Sequence, residues 1–120
     1  MRIWDLPVTV LCNKHLVAEH CELHVLWNCI TQNRKGWSHH PEAKRWKAHL
    51  RVLYQRHLAQ KIEFARRKFN HNSELDSGDI FESLDTYPEM WQSREEQIEI
   101  LVNVKRCSGC TRRIRRWLRR

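Results

Sequence analysis

Between Cys12 and Ile30 the residues Cys12, Leu16, Leu23, Leu26, Trp27 and Ile30 fall into one sector of a helix when the chain turns by about 100° per residue. Such a run cannot alternate as a strand does. It predicts a helix that starts near Thr9 or Asn13 and ends at Ile30, with His15, Glu19 and Glu22 along the edge of the apolar sector. Only three Gly and three Pro occur in 120 residues, which excludes a turn-rich all-β protein.

Two further segments carry helical signals. Pro41 suits the first position of a helix and Glu42 is favoured there by the dipole. Trp46, Leu50, Leu53, Tyr54, His57 and Phe64 then share one face, and the helix should run to about Lys68. Ser93 and Glu96 form a capping box ahead of Ile98, Leu101 and Val104, predicting a third helix of about a dozen residues. Gln32 to His40 reads as a loop, Asn70 to Glu89 as an ordered connector, and Met1 to Leu6 as an extended lead-in pinned by Ile3, Trp4 and Leu6. The expected fold class is all-α: one compact domain of three main helices over residues 1–106, followed by a basic, mobile C-terminal tail over 107–120. A chain of this length buries roughly two-thirds of its unfolded surface, enough for a modest core. At least four of the six Trp are assigned to that core.

The net charge of +8 is unevenly spread. Arg34 to Lys68 holds eleven Lys or Arg against Glu42 and Glu63; Glu74 to Glu99 holds nine acids against Arg94; from Lys105 onward eight basic residues stand without an acid. A basic surface that excludes one acidic segment fits a polyanion, most commonly nucleic acid. No apolar run reaches the 18 or so residues of a membrane span and no signal-peptide core follows Met1, so a cytoplasmic, nucleoid-associated protein is expected, acting as a monomer away from membranes. Five cysteines, an odd number, fit a reducing compartment.

Several groups invite chemistry. A neutral α-amine at Met1, its pKa lowered by Arg2, is a nucleophile able to attack the sugar C1′ of a damaged nucleotide, and a carboxylate such as Glu22 would stabilise the cationic intermediate. From spacing alone, an inert start residue and a solvated glutamate are the commoner outcome. His39, His40, Pro41 and Glu42 suggest a helix-start phosphate contact helped by Lys35, Lys44 and Arg45, with a purely structural role an equal alternative and metal binding a less common one, since two adjacent ring nitrogens rarely hold one ion without further ligands. Cys107 and Cys110 form a lone CxxC, for which inert thiols are the commoner outcome; zinc would require Cys12, Cys21 or a histidine to converge on it. No metal ligand is assigned.

The stretches RIWDLPVTVLCNKHLVAEHCELHVLWN, GWSHHPEAKRWKAHLRVLYQRH and RRKFNHNSELD resemble the pyrimidine-dimer DNA glycosylase (endonuclease V-like) family, in its short bacterial branch. The resemblance covers roughly residues 1–76, and the third helix loosely. It implies an all-α domain that inserts into DNA beside a cyclobutane dimer, cleaves the 5′ glycosyl bond through its terminal amine and nicks the strand by β-elimination, without metal or cofactor. Glu22 matches the family's catalytic glutamate and Arg2 the arginine after its nucleophile. His15 and Glu19 also match, His15 as a DNA or sugar contact. Two positions depart. Met1 stands where the family's phage type member has a threonine, and because Arg2 is large Met1 should be retained and supply the amine itself. Cys21 stands where the motif usually has arginine, which removes a substrate contact.

The function expected is therefore a DNA-repair glycosylase with abasic-site lyase activity. Its partner would be double-stranded DNA containing pyrimidine dimers or abasic sites, with Met1 and Glu22 catalytic and Arg2, His15, Glu19, Lys35, His39, His40, Lys44 and Arg45 facing the DNA. The alternatives are a noncatalytic nucleic-acid-binding protein of the same fold, and a zinc-binding module built on the CxxC and histidines.

Overall fold

The computed structural model describes residues 3–32, 41–70, 74–75 and 83–119. Among them lie four helical rods and no strand. A 3-10 turn, Val8–Val10, leads into α1 (Asn13–Thr31). The second rod is α2 (Pro41–Trp46), a 3-10 turn at Lys47–His49 and α3 (Leu50–Arg66). The third is α4 (Arg94–Glu99) continuing as a π-helix over Ile100–Val104, and the fourth is α5 (Ser108–Leu118).

The predicted helical faces are buried as expected. Leu16, Leu23, Leu26 and Trp27 of α1 and Trp46 and Leu53 of the second rod are fully covered. The break at Lys47–His49 frees backbone groups that the connector takes up. Leu84 N–H donates to Ala48 O at 2.9 Å, and Arg51 N–H donates to the Ser83 hydroxyl at 2.8 Å. Rod two ends in a Schellman turn. Lys68 adopts φ 61°, Lys68 N–H donates to Ala65 O, Phe69 N–H donates to Phe64 O, and the rings of Phe64 and Phe69 pack 6.0 Å apart. At α4 both halves of the Ser93–Glu96 capping box are made.

The core has two parts. One gathers Ile3, Leu23, Leu26, Trp27, Trp46 and Leu53; the other gathers Trp4, Leu16, Phe64, Leu101, Cys110 and Ile114. Adjacent residues Ile3 and Trp4 serve different parts, so the lead-in straddles both. Trp4, Trp27 and Trp46 are core residues, whereas Trp91 is 64% exposed.

The expected mobile basic tail is instead a docked helix. Cys110, Ile114 and Trp117 recur at four- and three-residue spacing and turn inward, while Arg112, Arg115, Arg116 and Arg119 are exposed. Burial of one helical face outweighs the repulsion among arginines that point to water. Ile114→Ala should accordingly lower unfolding stability by about 2–5 kcal/mol in urea titration; an unchanged midpoint would mean that α5 is not docked.

Candidate functional site

Glu19, expected at the edge of α1 and facing DNA, lies inside the protein with its side chain 0% exposed. Arg56 Nε and Nη2 grip its two carboxylate oxygens at 2.7 and 3.0 Å, Gln60 Nε2 donates at 2.7 Å and Trp4 N–H at 2.9 Å. Arg56 Nη1 continues to Leu6 O at 2.7 Å and to the Tyr87 hydroxyl at 3.2 Å. Burial opposes the charge on Arg56, but Glu19 and Tyr87 outweigh it and raise its pKa above the ordinary value. Glu19 thus holds the lead-in, α1 and α3 together, and its acceptor sites are taken by protein donors.

Gln60 extends this network. Its carbonyl oxygen lies 2.9 Å from His20 Nδ1, the His20 and His57 rings stack at 5.0 Å, and His57 Nε2 stands 3.2 Å from His24 Nε2. Arg56, Gln60 and His20 were not singled out from the sequence. Their signal was weak: polar residues on otherwise apolar helical faces.

Glu22 lies three residues beyond Glu19 on α1 and is half-buried, next to exposed Cys21. Met1 and Arg2 fall outside the described residues, as do Lys35, His39 and His40. In the second rod Lys44 is exposed to solvent. Arg45 is engaged by the protein: it meets Glu42 at 2.7 Å, donates to Glu89 O and stands 5.2 Å from the centre of the Trp91 ring. Glu42 also accepts from the indole N–H groups of Trp46 and Trp91 at 3.3 and 2.7 Å. This buried carboxylate anchors a connector tryptophan as well as serving the helix dipole.

His15 was expected at DNA, yet its Nδ1 faces sulfur: Cys12 Sγ at 3.2 Å, Cys110 Sγ at 3.4 Å and Cys107 Sγ at 3.5 Å. Its ring also meets that of Trp4 in a T-shaped contact. The fold thus brings Cys12 and His15 to the CxxC pair, whereas Cys21 is exposed elsewhere on α1. Burial pushes the Cys107 thiol up, but the Cys110 and Gly109 backbone and the neighbouring thiols outweigh it and hold its pKa below the ordinary value. Burial pushes Cys110 up to about 12.

A basic groove of about 600 Å³ runs between the π-helical segment and α5, lined by Arg106, Arg112, Arg115, Arg116 and Arg119. No acid is among its described lining residues. Five guanidinium groups around one open channel suit successive phosphates of a nucleic-acid backbone.

Glu19→Ala strands the Arg56 charge in the core and should cost about 3–5 kcal/mol of stability by urea titration. For His15, burial first, then Lys105 and Lys14, depress the pKa below 6.5. The unfolded chain therefore binds the proton more readily, and the ring's stabilising contribution is present above pH 6.5 and lost as pH falls through the lower folded value. NMR titration of the His15 ring in chelator-washed protein should give a midpoint below 6.5.

No curated protein matches the chain. No solved structure matches it either. A family model described as pyrimidine dimer DNA glycosylase matches residues 1–77, which span the lead-in, α1, α2 and α3 together with the Glu19–Arg56 network. With well over half of its length matched, the chain belongs to the pyrimidine dimer DNA glycosylase family.

Proposed function

We propose that this protein is a DNA-repair enzyme that excises ultraviolet-induced pyrimidine dimers through an amine-linked intermediate and then cleaves the abasic strand. The observation that carries the reading is the family match over residues 1–77, which includes Glu22 and the chain start. Trp4 is fastened to Glu19, three residues before Glu22 on α1.

In this mechanism the Met1 amine attacks C1′ and the bond from C1′ to the base breaks, its electron pair leaving with the base. Loss of a proton from nitrogen and ring opening give a Schiff base. Removal of a proton from C2′ then drives β-elimination of the 3′ phosphate, and water releases the enzyme. Glu22 stabilises the cationic intermediate and relays protons. Arg2, Lys35, His39, His40 and Lys44 are assigned to the DNA backbone around the lesion, and no cofactor enters any step. Damage weakens stacking, so extruding a nucleotide costs least at the lesion. The protein is taken to act as a monomer, on double-stranded DNA at the nucleoid.

A second reading, noncatalytic nucleic-acid binding, is favoured by the arginine groove, which lies on elements beyond the family match and could hold DNA without any chemistry. Borohydride trapping on abasic-site DNA separates the two. The wild type should form a covalent adduct that disappears when the terminal amine is blocked, and Glu22→Gln should keep DNA affinity while losing strand nicking. Retained affinity with no adduct would leave binding alone.

A further inference from the structure

The meeting of Cys12, His15, Cys107 and Cys110 has no part in the glycosylase chemistry, and the last two residues lie beyond the family match. Their four donor atoms all fall within 4.8 Å of one another. Cys12 Sγ and Cys107 Sγ are 3.6 Å apart, and all five cysteines are free thiols. A zinc ion bonded at about 2.3 Å to sulfur and about 2.0 Å to nitrogen sets tetrahedral edges of about 3.8 Å between sulfurs and about 3.5 Å between sulfur and nitrogen. The 3.6 Å between the Cys12 and Cys107 sulfurs, and the 3.2, 3.4 and 3.5 Å from sulfur to nitrogen, come close to those edges.

We propose that Cys12, His15, Cys107 and Cys110 bind one zinc ion in a closed structural site that fastens α5 to the start of α1.

The local backbone is built for such a site. The two pairs have the same spacing, Cys12-x-x-His15 and Cys107-x-x-Cys110. Cys12 N–H points to Cys110 Sγ at 3.2 Å and Cys110 N–H to Cys107 Sγ at 3.5 Å, donors that favour thiolates. Arg106, at φ 48°, follows the π-helical segment and turns the chain so that Cys107 N–H closes onto Leu101 O at 2.9 Å. Gly109 lets this turn approach α1, since a Cβ there would stand 2.7 Å from Cys12 Cβ. Three thiolates around a dication leave one negative charge, and Lys14, Lys105 and Arg113 interact electrostatically with members of the cluster.

Three sulfurs and an imidazole select zinc over calcium or magnesium. Four protein ligands leave no open position, so the ion would stabilise rather than catalyse. Binding releases the thiol protons to solvent and joins segments 92 or more residues apart in sequence. This site stands or falls independently of the trapping experiment.

Protein purified under reducing conditions should carry one equivalent of zinc by elemental analysis. Cys21→Ser and Cys29→Ser should retain it and Cys107→Ser should lose it. Because Cys107→Ser disturbs the packing of α5, chelator-stripped wild type is also titrated with cobalt(II). Visible absorption of tetrahedral cobalt with sulfur charge transfer, saturating at one equivalent, and slowed hydrogen exchange across residues 108–118 are the expected results. Wild type that holds no zinc and gives no tetrahedral cobalt spectrum overturns the proposal, as does undiminished zinc in Cys107→Ser.

Discussion

A carboxylate and a guanidinium taken out of water are tolerated only where the remaining lone pairs and protons also find partners. Glu19 and Arg56, with side chains 0% and 5% exposed, meet that condition with donors from two places in the chain. Arg56 and Gln60 come from α3, and Trp4 N–H comes from the lead-in. Glu19 falls between Leu16 and Leu23, hence between the two halves of the core, and Arg56 falls between Leu53 and Phe64 in the same way. Apolar attraction is non-directional, whereas a two-point grip on a carboxylate holds one orientation. The ion pair therefore fixes how α1 and α3 align.

The segment that leads to the chain start depends on the same pair. Trp4 N–H and Leu6 O, one donor and one acceptor, are both satisfied by the network, so an otherwise irregular strip of backbone is held on the helical body. The connector is held by the same physics. Tyr87 reaches Arg56, Trp91 reaches Glu42, and Ser83 and Leu84 meet the broken turn ahead of α3. Buried acids thus act as anchors for segments without regular structure. Among the described residues, α5 and the turn before it present a dense run of exposed arginines.

How much of this was legible varied with the kind of signal. The helical faces around Leu23, Trp27, Trp46 and Leu53, and the capping box at Ser93, were readable because period and capping are local properties. Glu22, Met1 and the DNA reading came from family-like motifs, whose matched span covers α1 to α3. The helical wheel puts Glu19 at an edge, and the family motif puts His15 on DNA, because neither position on a wheel nor a motif reveals which partner will arrive from another helix. The inward turn of α5 was written at Cys110, Ile114 and Trp117, but a high density of arginine obscured it.

By itself, then, the sequence determined the helical class, the faces that pack, the distribution of charge and the family, because periodicity, charge and motif all reside in neighbouring residues. Only the tertiary structure decided that Glu19 is a buried anchor and that α5 belongs to the body. It alone brought Cys12 and His15 to Cys107 and Cys110. Those outcomes depend on groups some 37 to 98 residues apart, and no local pattern records which distant side chain will satisfy a buried charge or complete a set of ligands.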